Sequence, residues 1–423
     1  MENAVPLPRR ALPPMARVAQ SLKSNHIPDV RADVRRKIDE SGLLRDLRRG
    51  ARVGITAGSR GMGGFVDLLA GIADAVRKQG GEPFILPAMG SHGGATAEGQ
   101  TEILRRLGVT DDAVQAPIRA TMETRALGAC PTGAVAHLDE ISAQADGVIV
   151  LGRVKTHPER ATGLASGLLK MVTVGLGKQI GAQEAHSHGL WDSVEQVPAI
   201  TMAHAPILCG IAVVENARRQ PVVIEVVPPK YDAFREADIR LLEVAHQHLA
   251  TIPFDHLDLL IVDQLGKSIS GTGMDLNVIG SWRMKGGEHK PDIRRIAPLS
   301  LTHPSLGNGL GIGLADFTTR RFMDEYDPQA TYMNLLTAAE PDAMNTREGP
   351  LPLALPSDRE AAEVALYSAI AGPNPRVCRI ESTAALGEMW ISESLLPEVE
   401  RNRSLSVLES PVPLPFDAAG NLF

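Results

Sequence analysis

Short apolar runs alternate along this chain with stretches in which apolar residues recur every three or four positions. Arg52–Thr56 (RVGIT), Pro83–Ala88 (PFILPA) and Gly147–Leu151 (GVIVL) have the length and content of strands buried on both faces. Between the first two, Phe65, Leu68, Leu69, Ile72 and Val76 lie on one stripe and predict a helix over 65–79. A second helix is predicted from Thr96, as its cap, to Leu107, with Gly108 ending it, and a polar helix over 29–48 precedes the first strand. Strand, glycine loop and helix thus occur twice in succession, and residues 146–189 supply a third instance. That order predicts a parallel sheet with right-handed crossovers.

The pattern then continues through two apolar runs within 206–226, parted by Asn216–Gln220, and a helix near 231–250. Pro253–His256 reads as a boundary. Leu257–Val262 opens a second α/β unit, to which 306–316 and a helix near 357–370, capped by Ser357 or Asp358, belong. The expected fold is therefore α/β with two domains, residues 1–252 and 253–423, each a mostly parallel sheet flanked by helices, with the site in the cleft between them. Residues 1–25 read as an extended arm, and the proline-rich tail after Glu409 is expected to run back over the first domain.

Composition narrows the function classes. A length of 423 residues suits two or three domains, and 43% hydrophobic with 22% charged residues is ordinary for a globular chain. With aromatics at only 4%, the core must be built from Ala, Val, Leu and Ile. A formal net charge of −7 leaves no basic excess with which to displace counterions from nucleic acid. Cys130, Cys209 and Cys378 are too scattered for a disulfide framework or a cysteine metal site, so a reducing, cytoplasmic setting is expected. No signal-peptide pattern opens the chain and no run of 18 apolar residues occurs, so no membrane partner is expected.

Candidate chemistry gathers in residues 146–189, where Arg153, Lys155, His157 and Arg160 follow a strand end. The earlier loop Gly58-Ser-Arg-Gly61-Met-Gly63 reverses the dinucleotide fingerprint, and the second strand ends in Leu86-Pro87-Ala88 where an acid should hold a ribose. That argues against nicotinamide, yet the loop still offers backbone N–H groups and Arg60 to an anion. His92 and His157 each follow a strand of the same sheet. Each reads either as a structural histidine or, together, as an acid–base pair near neutral pH. Lys170, among Leu168, Leu169, Met171 and Val172, is either a snorkelling helix lysine or an amine that attacks or tethers a group. Of His186 and His188, two apart on a helix, only one can face a given metal. Gly163–Gly167 lacks the nucleophile-elbow spacing of a hydrolase. In the second domain, Lys267 lies in a glycine-rich loop, 266–275, expected to close over an anionic ligand.

These residues resemble the nickel-pincer-nucleotide-dependent racemases and epimerases, the lactate racemase family, over most of residues 50–280. Gly90-Ser91-His92-Gly93-Gly94 with Thr96 is similar to the family's first histidine loop, and His157-Pro158 to its second. The resemblance implies that Lys170, with Ser166 and Gly167, holds the pincer nucleotide covalently. His186, sixteen positions on, would be the nickel ligand, and Arg60 would lie near substrate. It implies interconversion of the stereoisomers of a 2-hydroxy acid, with His92 and His157 as acid and base, and a cofactor built by dedicated synthesis proteins. Ser166-Gly167-Leu168-Leu169-Lys170-Met171 departs from the family's S-G-G-x-K-x-x-L-P-G, and Ile55-Thr56-Ala57 lacks its aspartate. Those departures imply a divergent member with a different substrate. Read from the residues alone, two further functions stand beside this one: a lyase or differently metallated enzyme using Lys170 as a Schiff base, and a non-catalytic protein binding an anionic small molecule.

Overall fold

The apolar runs become strands and the helical stripes pack over them in a computed structural model, which describes residues 7–156, 163–286, 288–337 and 350–422. Two compact units emerge, one of Lys23–Leu249 and one of Met1–Leu22 together with Ala250–Phe423. The second break lies close to the expected boundary at 253, whereas the first 22 residues belong with the second unit. The reason is a strand, β1 (Met15–Gln20), in what the sequence suggested was an arm. Pro13 and Pro14 cannot donate hydrogen bonds, so pairing begins immediately after them, where Met15, Ala16 and Val18 can be buried.

The unit Lys23–Leu249 is built on β2 (Arg52–Ala57), β3 (Glu82–Pro87), β6 (Gly147–Arg153), β7 (Ile207–Glu215) and β8 (Pro221–Val227), with a separate hairpin of β4 (Thr124–Ala129) and β5 (Val135–Asp139). Its five strands lie in the order β3-β2-β6-β7-β8. The first four are parallel, and β8 returns antiparallel to β7. The β4–β5 hairpin was not foreseen, since β4 (TRALGA) is largely exposed and shows no alternation of apolar residues. The predicted polar helix is shorter than 29–48: it runs from Val30 to Ser41, where left-handed Gly42 (φ 69°) turns its N–H back to the Asp39 carbonyl.

From β2 the chain crosses to β3 on one side and later to β6 on the other. The strand order therefore reverses between β2 and β6, the place where open α/β sheets bind ligands outside their carboxyl ends. The two strands also part there. β2 pairs with β3 along six residues, from Arg52 to Ala57, but with β6 only from Val53 to Ile55. Beyond Ile55 a side chain replaces the ladder, as the Leu151 N–H donates to the Thr56 hydroxyl oxygen at 2.9 Å.

The other unit holds β9 (His256–Leu265), β10 (Asp292–Leu301), the short parallel pair β11 (Phe317–Thr319) and β12 (Leu353–Leu355), then β13 (Val377–Ile380), β14 (Glu388–Ser392) and β15 (Leu405–Val412). Its main sheet runs β10-β9-β13-β14-β1-β15, parallel through the first three strands and antiparallel through the rest. The tail after Glu409 was expected on the first domain, but β15 reaches Val412 in this sheet, paired along β1. Ser357 caps the helix Asp358–Ser368 as foreseen, accepting from the Glu360 N–H. No helix among the described residues is long and apolar enough to cross a membrane.

The helices Val30–Ser41 and Phe65–Lys78 meet closely at Gly71. A methyl added there would lie 2.5 Å from Val34 Cγ1 and 2.7 Å from the Arg31 carbonyl oxygen. Helix propensity favours Gly71→Ala by about 1 kcal/mol, but overpacking against backbone costs about 1–3 kcal/mol. The substitution should therefore lower the urea midpoint of unfolding, where an exposed mid-helix glycine would show the opposite change.

Candidate functional site

Four segments leave the carboxyl edge of the Lys23–Leu249 sheet and carry the polar groups. The loop after β2 holds Arg60, that after β3 holds His92, and β6 and β7 end in Arg153 and Glu215. Their backbones are tied together. The Ala88 N–H donates to the Ala57 carbonyl at 2.8 Å, joining the first two loops at their roots. Both loops also pack on the segment after Lys170. A methyl on Gly58 would lie 3.5 Å from Met171 Cε, and one on Gly90 would lie 3.1 Å from Val174 and 3.4 Å from Ala182.

One carboxylate, Glu215, ties β6 to the loop after β2. Glu215 accepts from Arg153 Nη1 at 2.8 Å through Oε2 and from the Gly63 N–H at 2.5 Å through Oε1. Gly63 in turn lies so close to the Arg219 carbonyl oxygen that a methyl would sit 1.7 Å from it, so no other residue fits. Arg219 holds a left-handed conformation (φ 59°) in the turn between β7 and β8. Arg60 is solvent-exposed as a whole. Crowding of its guanidinium by surrounding atoms, then the charges of Arg153 and Arg219, press its pKa below the ordinary arginine value.

Lys170 ends the short helix Leu168–Lys170, which runs on as a π-helical stretch, Met171–Gly175, and then into the helix Lys178–Ser187. Such wide turns are often found at functional sites. The Lys170 ammonium lies 4.9 Å from the centre of the Trp191 ring, a cation–π arrangement. What fixes this helix is Asp238, a buried carboxylate on the helix Tyr231–Gln247. It accepts from the Leu168 N–H at 2.8 Å and the Leu169 N–H at 2.9 Å. Gly167 is needed for that approach, because a methyl would lie 2.3 Å from the Asp238 oxygen. Ser166 contributes its carbonyl, which accepts from the Lys155 N–H at 3.1 Å and closes the loop after β6 at its base. The segment 157–162, with His157 and Arg160, lies outside the described residues.

His92 is exposed and precedes the tight turn Gly93–Ala95. Buried Gln100 steadies it, donating from Nε2 to the Gly90 carbonyl at 2.8 Å and the His92 carbonyl at 3.2 Å. His186 is half-buried in the helix Lys178–Ser187, whereas His188 is exposed, with Nδ1 3.0 Å from the Glu184 carbonyl oxygen. The two imidazoles thus occupy different environments, as their spacing implied. At the start of that helix, Lys178 is fully buried in a left-handed conformation (φ 55°), and its ammonium donates to the Pro87 carbonyl at the end of β3. Burial drives its pKa down, against the attraction of Asp139, and burial drives the buried Asp139 carboxyl up. Both shifts favour the uncharged forms.

In the other unit, Lys267 is half-buried in the loop expected to act as a lid. The glycines there serve close packing. A methyl on Gly266 would lie 2.1 Å from Thr302 Oγ1, and one on Gly273 would lie 2.1 Å from the Leu310 carbonyl oxygen. Ser268 Oγ lies 2.9 Å from Thr302 Oγ1, and the Asp275 N–H donates to Thr383 Oγ1 at 2.9 Å. The loop is pinned at both ends.

Asp238, Glu215, Gln100 and Lys178 were missed by sequence reasoning. Lys178 alone left a signal, as a second lysine in the glycine-rich segment. Cys209 and Cys378 are buried thiols pushed up to about 12, so neither is a thiolate near neutral pH. Among the described residues no three His, Cys, Asp or Glu side chains gather so as to hold a metal ion. Neither a protein-family model nor a curated protein matches the sequence.

Burial pushes the Asp238 carboxyl up to about 6, against the pull of the Leu169 and Leu168 N–H groups. The unfolded value is near 3.9. Between these values the folded chain binds more protons than the unfolded one, so stability from this group is greatest in acid, falls as pH rises to about 6, and is level above. Relative to Asp238→Asn, which does not titrate, the unfolding free energy of the wild type should fall by about 2 kcal/mol between pH 4 and pH 7. Denaturant unfolding of both proteins at the two pH values measures this, and parallel profiles would place the carboxyl pKa near its unfolded value.

Proposed function

We propose that this protein is an isomerase of 2-hydroxy acids, a racemase or epimerase acting with a lysine-tethered nickel-pincer nucleotide. The single observation that carries the reading is the packing of the Arg60 and His92 loops on the one segment that joins Lys170 to His186, at the switch point of a parallel sheet. The donor set fits such a group in kind. Lys170 supplies an amine for the tether and His186 an imidazole suited to nickel. The N-terminus of the Lys170 helix is already satisfied by Asp238, so phosphate recognition falls to the arginines.

When bound, such a group supplies a hydride acceptor and donor. The chain's own residues do the rest. Arg60 holds the substrate carboxylate, whose negative charge would offset the positive charges of Arg153 and Arg219 acting on it. His92 takes the hydroxyl proton of one stereoisomer or returns it when that stereoisomer forms. By resemblance, His157 serves the second face. Acid–base assistance of this kind contributes about 10²–10⁴ in rate.

The test is chiral chromatography of a single 2-hydroxy acid enantiomer incubated with protein co-expressed with the cofactor-building proteins, together with peptide mass analysis across Lys170. Interconversion and a mass adduct on Lys170 are expected. Lys170→Ala should lose both. His92→Asn should keep the adduct and lose about 10²–10⁴ in rate. An unmodified Lys170 with no interconversion would exclude the proposal, and an adduct with undiminished turnover in His92→Asn would remove His92 from the chemistry.

A further inference from the structure

We propose that Lys178 is a positioning residue, whose buried amine fixes the His92 loop against the helix that carries His186. The starting point is the outer side of β3, which is an edge strand of its sheet. There the Ile85 N–H donates to the Pro117 carbonyl at 2.8 Å, and the Ile85 carbonyl accepts from the Arg119 N–H at 2.9 Å. Pro87, two residues on, turns its carbonyl to the same side. The bridge between Ile85 and Ile118 is a single one, however, and does not extend so far. Lys178 Nζ donates to the Pro87 carbonyl instead. β3 thus ends, and the His92 loop begins, on a hydrogen bond from another element.

Lys178 occupies this place at a double cost. It is fully buried, where an ammonium loses its water, and its backbone is left-handed (φ 55°), which side-chain-bearing residues resist. Glycine would relieve the backbone and methionine the burial, yet neither would bring a side-chain donor to Pro87. Strain of this sort persists where the surrounding structure over-determines it, and it gathers at functional sites. Two further contacts press the same elements together. A methyl on Gly175 would lie 3.0 Å from the Ala88 carbonyl oxygen, and the Leu176 carbonyl accepts from the Asp139 N–H at 2.9 Å. Lys178 opens the helix on which His186 lies, and Pro87 opens the loop that holds His92. The tie therefore sets an imidazole meant for proton transfer against one meant for the metal. An amine keeps hydrogens to donate whether or not it is charged, so the tie holds in both protonation states.

This inference rests on the reading above in assigning chemistry to His92 and His186, and goes beyond it in adding a residue that touches no substrate. In Lys178→Met, co-expressed with the cofactor-building proteins, kcat should fall about 10- to 100-fold, the effect of misplacing a reacting group by about 1 Å. KM should change by less than about 3-fold and the Lys170 adduct should be retained, since neither substrate binding nor the tether is altered. A purely structural lysine would instead lower the melting temperature and leave kcat of the folded protein unchanged. Lys178→Gly, which the left-handed backbone favours, removes the same donor should Lys178→Met not fold, and circular dichroism checks both. Hydrogen–deuterium exchange over residues 88–96, followed in protein without adduct, supplies a readout that needs no turnover. Both variants should exchange there at least about 10-fold faster than wild type, with β2 unchanged. Unchanged exchange over 88–96 would overturn the proposal, and so would wild-type kcat in a variant whose exchange is raised. The two readings can fail separately: a wild type that interconverts nothing would sink the racemase reading, while raised exchange in the variants would still make Lys178 the anchor of the His92 loop.

Discussion

The arrangement around Lys170 depends on a buried carboxylate that has no charged partner among the described residues. Asp238 lies beneath the turn where the chain, having left β6, folds back and starts a helix, and its two oxygens take the first two N–H groups of that helix. A helix start buried without such a partner would leave donors unsatisfied at about 1–3 kcal/mol each. The carboxylate bears a penalty in return, seen in its raised pKa. That penalty is tolerable because the two donors sit on consecutive residues and point at one group. From this joint follow the π-helical stretch, the helix bearing His186, and the surface on which the Arg60 and His92 loops rest.

The parts of the fold that could be read from the sequence are those whose signal is local. β2, β3 and β6 are apolar runs, the helix Phe65–Lys78 carries its stripe, and Thr96 caps the helix after it, accepting from the Gly99 N–H. What escaped was set by partners distant in sequence. β1 is a strand because β14 and β15 lie on either side of it, and nothing in MARVAQ announces them. Within the site, His92, Lys170 and Arg60 stood out because polar groups among glycines and apolar residues are conspicuous. Asp238 did not, since within YDAFREADIR it looks like one more polar position on an amphipathic helix. Glu215 likewise resembled the polar end of a strand.

Glycine was the least transparent residue type. In the loop at 266–275 it suggested mobility, and in the structure it permits close packing against Thr302, Ser305 and Leu310. The same holds at Gly63 and Gly167, where absence of a side chain lets a carbonyl or a carboxylate approach. A glycine-rich sequence therefore describes two physical situations, freedom and crowding, that only the surrounding chain distinguishes.

The position of β1 has a consequence for the order of assembly as the chain emerges during synthesis. β1 is made long before both its neighbours in the sheet, so Met15 must wait for Ser392 or Val412 before it can pair. Residues 23–249 are complete long before that and can fold as a unit in the interval. Until β14 and β15 emerge, β1 lacks both neighbours, and its open edges invite pairing with other chains. That exposure lasts while residues 23–249 can already be folded, and it ends only when the chain reaches residues 388–412.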